Sequence, residues 1–384
     1  MRDAAIMTRW AGMGLGVVVG AAVLAVLLAG TARFPVSHAA VRTAPTPAAI
    51  SVGRITRVAN LYAAATEPYL RREVSGIPAR VYVPNSEDGT VDVIDPVNRL
   101  VVAHFPVGLV PHHITPSWDL KRLYVDNTSA NTLTVIDPRT SLPVETIRIT
   151  DPYNLYFTPD GTAAVVVAER LNRLDVYDRS SWRLLFSVPV PWPGADHLDF
   201  SADGHILMTS AEFSGAIVKV DLTRRMVVGY AYVGGLPVDV RLAPDGSVFF
   251  VANQGRHGVS VLDPERMEEI AFIPTGLGAH GLALNRDASR LYVSNRLAGT
   301  ISVIDVASRQ VAATWTVGGS PDMMQVSPDG RELWTSNRFG HTVSVVETTT
   351  GRVLGRIEVG ESPHGLTYFP QPGLISLGHN GVYR

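Results

Sequence analysis

Stepping by 42 residues from His112 lands on Asn154, Asp196, Val238, His280, Asp322 and His364, and the positions just after these add His113, His197 and Asp239. A parallel column runs Asn85, Asn127, Glu169, Ala211, Asn253, Asn295 and Asn337, with Glu212 beside Ala211 and His379 one further period on. Six of the 11 histidines fall in these columns. Imidazole and carboxylate together suit a divalent transition metal such as Zn, Cu or Mn, provided the fold brings them to one place. The predicted metal ligands are His112, His280, Asp322 and His364, which occupy consecutive repeats once the last repeat is followed by the first. Glu169 and Glu212 put a carboxylate where the pattern otherwise has a turn-forming amide, which makes them the candidate general bases. Asp196, His197, Asp239 and Arg170 are the candidates for contact with a small ligand, and Arg173, Arg296 and Arg338 follow the same columns. The asparagines suit a structural role, because the side chain caps turns and tolerates left-handed backbone.

The elements that must position these residues come from the same period. Segments such as Leu123-Tyr124-Val125-Asp126-Asn127, Phe249-Phe250-Val251-Ala252-Asn253, Leu291-Tyr292-Val293-Ser294-Asn295 and Leu333-Trp334-Thr335-Ser336-Asn337 end on anchors 42 residues apart, and seven such anchors run from 85 to 337. Each repeat holds four short runs with β character. Asp-Gly pairs at 160/161, 203/204, 245/246 and 329/330 suit tight turns that require positive φ. Four antiparallel strands per 42 residues make one propeller blade, which cannot bury its faces alone, so the expectation is an all-β, seven-bladed β-propeller. In such a ring the start of each innermost strand and the end of its neighbour share one rim, so both columns face a single funnel. The last inner strand, near 364–369, is expected beside Arg80 to Asn85, so that the two ends of the domain share one blade.

The Tyr-Val-x-Asn runs, the Val-Ile-Asp-Pro runs at 93–96 and 135–138 and the segment at 360–366 resemble the YVTN-type bacterial β-propeller repeat family over residues 80–373. The third and fourth repeats depart from its pattern at Glu169 and at Ala211-Glu212, and the Trp-Asp dipeptide that recurs in scaffold propellers does not repeat here, standing once at Trp118-Asp119. Similar propellers include binding proteins, lactonase-like enzymes and parts of redox enzymes, so the resemblance specifies fold more than activity. It also implies that Pro-His-Gly is an ordinary way to enter an inner strand, and a polar rim holding ordered water competes with the metal reading.

Residues 10–30 form an uncharged, mostly apolar stretch behind Arg2 and Arg9, so export is expected, with cleavage and an uncleaved membrane anchor both open. The expected organisation is 1–40 signal or anchor, 41–79 extracytoplasmic linker with a short helix, and 80–384 propeller. With 46% hydrophobic and 18% charged residues the chain folds around a core, and the absence of cysteine excludes disulfides, thiolate metal sites and cysteine nucleophiles. Without residues 1–40, 30 basic residues face 34 acidic ones, so a nucleic-acid partner is not expected. No Gly-x-Ser-x-Gly elbow, Walker loop or paired-histidine helix is present. The expected function is an envelope binding or sensing module with a small-molecule or metal ligand at the channel mouth. The alternatives are a metal-assisted, lactonase-like hydrolase and a scaffold for an envelope protein partner.

Overall fold

The computed structural model describes residues 57–66 and 70–384, and the apolar stretch and tether expected at 10–30 and 36–53 lie outside them. Among the described residues no helix is long and apolar enough to cross a membrane. Seven four-stranded antiparallel sheets form the ring. In the first complete blade, Pro111–Pro116 pairs with Leu123–Asn127, then Thr132–Asp137, then Leu142–Arg148. Burial falls from the inside out: every residue of Pro111–Pro116 is buried, whereas Leu142–Arg148 is almost wholly exposed. The inner runs therefore read as continuous apolar or small residues, and alternation survives only toward the rim.

The core lies between blades. Trp334, Val343 and Val345 of one blade pack on Val81, Val83, Ile94 and Tyr368 of the next, all buried. β-branched side chains fill such half-buried faces without losing further rotamer freedom, which explains their prevalence in these runs. The Asp-Gly turns adopt the expected backbone: Gly161 has φ 68° and Gly330 φ 76°. At Gly161 a Cβ would lie 2.5 Å from the Trp118 ring, so the position excludes larger residues for packing as well as backbone reasons.

Ring closure follows the shared-blade arrangement. Thr367–Phe369 pairs with Arg80–Asn85 in the register Val81↔Tyr368, and Thr90–Asp95 and Leu100–Pro106 complete that sheet. The remaining segment, 374–384, crosses the end of the channel that carries the Asp-Gly turns. There the amide of Phe157 donates to Leu377 O at 2.9 Å, His379 N to Leu155 O at 2.8 Å, and Arg384 Nη2 to Asp199 Oδ1 at 2.9 Å. The helix expected within 54–73 is a single turn, Ala63–Thr66, with Tyr62 just before it donating from its hydroxyl to Leu242 O at 2.9 Å. Both segments sit on the same face, so the opposite mouth is the one bounded by the histidine and glutamate columns.

Candidate ligand and metal site in the central channel

The inner strands Pro111–Pro116, Asn154–Phe157, Ala195–Phe200, Ala279–Leu284 and Pro321–Val326 begin at the mouth and place His112, Asn154, Asp196, His280 and Asp322 around it. His364 enters just before the closing strand. His280 Nδ1 lies 2.8 Å from Asp322 Oδ1, and His364 Nε2 is 3.7 Å from Asp322 Oδ2. The His112 and His364 rings stack at 3.8 Å between centroids. The four predicted metal ligands therefore converge, and ligand atoms of His280, Asp322 and His364 lie within 4.8 Å of one another.

A cation of the protein itself already sits among them. Arg296 Nη2 is 2.5 Å from Asp322 Oδ1 and donates also to His280 Nε2, while Arg338 Nη1 is 3.9 Å from Asp322 Oδ2. Burial opposes ionisation of Asp322, but Arg296 and His280 outweigh it and hold the carboxyl well below the usual range. The guanidinium of Arg338 makes no closer polar contact than this among the described residues, so its donors remain available at the mouth.

Glu169 and Glu212 face this basic group from the other side. Each opens a short 3-10 turn, Glu169–Leu171 and Glu212–Ser214, that ends on a left-handed residue, Asn172 or Gly215. Partial burial, with the charge of Asp196 behind it, raises Glu169 to about 7 and Glu212 to about 8. Tyr153 lies beside His112, 4.6 Å between ring centroids. The mouth thus carries two arginines, a phenol and two carboxyls that retain protons near neutrality.

Beneath the mouth the rings of His113, His197 and His379 meet, with centroids 4.7 to 5.2 Å apart. His379 arrives on the crossing segment rather than on a blade. Asp239 accepts from the amides of Val240 and Leu282 at 2.8 Å each, and its carboxylate lies 3.8 Å from His379 Nε2 and 3.7 Å from Arg241. Burial pushes His379 down to about 4 against the pull of Asp239, and burial likewise holds His112, His113 and His364 well below their ordinary value. His197 is the exception: burial lowers it, but Asp196 Oδ1, 2.6 Å from its Nδ1, carries it above that value.

The other named residues go elsewhere. Arg170 pairs with Asp151 at 2.5 Å and donates to Thr128 O, away from the histidines. The asparagines hold turns: Asn127 Nδ2 donates to Thr132 Oγ1 and Thr134 Oγ1, Asn295 repeats this with Thr300 and Ser302, and Asn337 with Thr342 and Ser344. Tyr156 accepts from Asn154 Nδ2 and Leu198 N, both at 3.1 Å, and Phe213 is exposed beside Glu212. Sequence columns did not rank Arg296 and Arg338 above Arg170 and Arg173, because all four follow a strand end and only side-chain direction separates them.

The profile of the YNCE-like β-propeller family matches residues 47–371. No curated protein sequence matches the chain. Among solved structures it resembles hydrazine synthase from Kuenenia stuttgartiensis, with 18% identity, TM-score 0.62, and coverage of 74% of this chain and 98% of that one. A functionally unknown protein from Desulfotomaculum acetoxidans gives 17% identity, TM-score 0.64 and coverage of 75% and 98%. Dihydro-heme d1 dehydrogenase NirN, solved in complex with DHE, gives 19%, 0.57, 77% and 76%. At these identities the likeness is one of fold. The profile match, spanning most of the chain, identifies it as a member of the YNCE-like β-propeller family.

Proposed function

We propose that this propeller is an exported binding module of the cell envelope that holds a small anionic ligand, a carboxylate or oxyanion, at the open mouth of its channel. The observation that carries this reading is the convergence of Arg296 and Arg338 on the single carboxylate of Asp322, with Arg338 only loosely held at 3.9 Å. Two guanidinium groups against one carboxylate leave a net positive charge, and Arg forks match carboxylate and oxyanion geometry. Protonated Glu169 and Glu212 and the Tyr153 hydroxyl add donors, so an acceptor-rich ligand is favoured. The rigid ring supplies preorganisation. Arg296 also explains why the mouth quartet suits an anion better than a metal: an ion taking His280 and Asp322 has to displace a guanidinium first.

The test is calorimetric titration of the purified chain with acetate, succinate, phosphate and sulfate, alongside Arg338→Ala and Lys121→Ala, the latter a surface control. Saturable binding lost in the first variant and kept in the second supports the reading; absence of binding to every anion removes it. A second reading, hydrolysis, is favoured by the Glu169 and Glu212 carboxyls at about 7 and about 8, the range of a working general base. Turnover of lactone or ester substrates that disappears in Glu169→Ala supports it, and no turnover in the wild type removes it.

A further inference from the structure

We infer that His113, His197 and His379 form a transition-metal site beneath the mouth, distinct from the anion-binding residues above. Their ligand atoms lie within 4.8 Å of one another, and none of the three belongs to the group of His280, Asp322 and His364, although His113 also stands in a group with His112 and His364. All three are buried, at 0%, 0% and 2% exposure. Three convergent imidazoles without thiolates suit Cu or Zn.

Hydrogen bonding distinguishes this group from core histidines. His113 Nδ1 is 2.9 Å from Asn380 Oδ1, an oxygen that can only accept, so Nδ1 carries the proton and Nε2 presents its lone pair. That Nε2 has no hydrogen-bond partner, and neither does His197 Nε2. Asp196 Oδ1 is the 2.6 Å partner of His197 Nδ1, while His379 has Asn154 Nδ2 3.2 Å from its Nδ1 and Asn380 Nδ2 3.4 Å and Asp239 Oδ1 3.8 Å from its Nε2. Unpaired buried polar atoms each cost about 1–3 kcal/mol, so His113 Nε2 and His197 Nε2, both without a partner, call for a common one. An outer carboxylate or amide behind each imidazole is the arrangement that orients metal-ligating histidines.

Ring geometry agrees. His197 stands at 88° to His113 and 89° to His379, so the rings converge edge-on, unlike the stacked pair of His112 and His364 at 27°. Asp196 and Asp239 supply negative charge that offsets an incoming dication. A cluster of ordered water is the competing occupant, and it differs from a metal in leaving nothing behind for elemental analysis.

The test uses the full chain without an affinity tag, treated with chelator, reloaded separately with Zn(II) and Cu(II), and desalted. The wild type and a His280→Ala/His364→Ala variant are expected to hold about one ion per chain, and His379→Ala to hold none. With Cu(II), the electron paramagnetic resonance signal should show nitrogen hyperfine splitting that disappears with the ion. Circular dichroism checks folding, and His113→Gln, read in the same way, replaces His379→Ala if that variant does not fold. No ion in the wild type overturns the inference, as does an ion kept by both His379→Ala and His113→Gln or one lost only in the mouth variant. Anion binding is read independently, so failure here leaves the mouth reading standing and the reverse also holds.

Discussion

His280 and Asp322, 42 residues apart and on adjacent blades, lie side by side with Nδ1 2.8 Å from Oδ1, and Arg296 bridges both from above. The contact ties the start of one inner strand to the next and places a fully buried carboxylate of the mouth between two guanidinium groups.

Replacing this carboxylate is therefore expected to be expensive. Asp322→Asn leaves the mostly buried side chain of Arg296 without its counter-charge, and breaking such a pair costs about 3–5 kcal/mol. Denaturant unfolding should show the loss, and Arg296→Met/Asp322→Leu should recover part of it. A single-variant loss below about 1 kcal/mol would mean that solvent reaches the pair.

Acid should weaken the fold through the buried imidazoles. His112, His113, His280, His364 and His379 have folded values below 6.5, so below that pH the unfolded chain takes up protons that the folded chain refuses. Stability then falls with decreasing pH by about 1.4 kcal/mol per unit for each such histidine, until its folded value is reached. His197, raised rather than lowered, opposes this. Chelator-treated His379→Gln is expected to lose stability less steeply than the wild type between about pH 6.5 and about 4, measured by urea unfolding at each pH.

Glu169 and Glu212 act in the opposite direction. Their folded values lie above the ordinary 4.5, so the protonated form is favoured in the fold, and stability declines as pH rises from 4.5 until the folded values of about 7 and about 8 are passed. Glu169→Gln/Glu212→Gln is expected to be more stable than the wild type at pH 8.5 and similar at pH 4. Equal pH slopes in the two proteins would contradict the assigned burial.

Closure of the ring rests on a three-residue strand, Thr367–Phe369, and Phe369 is fully buried against Tyr82 and Ile114. Phe369→Ala should cost about 3–5 kcal/mol. Limited proteolysis near residue 366 should accelerate with it, because the shared blade opens where only backbone pairing remains.

The chain by itself determined the period of 42, the four strands per blade, the number of blades and the blade shared by both ends. These follow from local alternation and turn chemistry repeated at one spacing, and identical spacing puts equivalent residues on one rim whatever the details of packing. It also placed six histidines in the channel register. Which of them meet was decided by the tertiary structure. Distances across a channel depend on how seven inner strands pack, and no periodicity encodes the direction of a side chain. Arg170 turned outward to Asp151 while Arg296 turned inward to Asp322, although both follow a strand end. His379 falls one period beyond the last anchor but on no blade strand, and only the path of segment 374–384 across the channel brings it to His113 and His197.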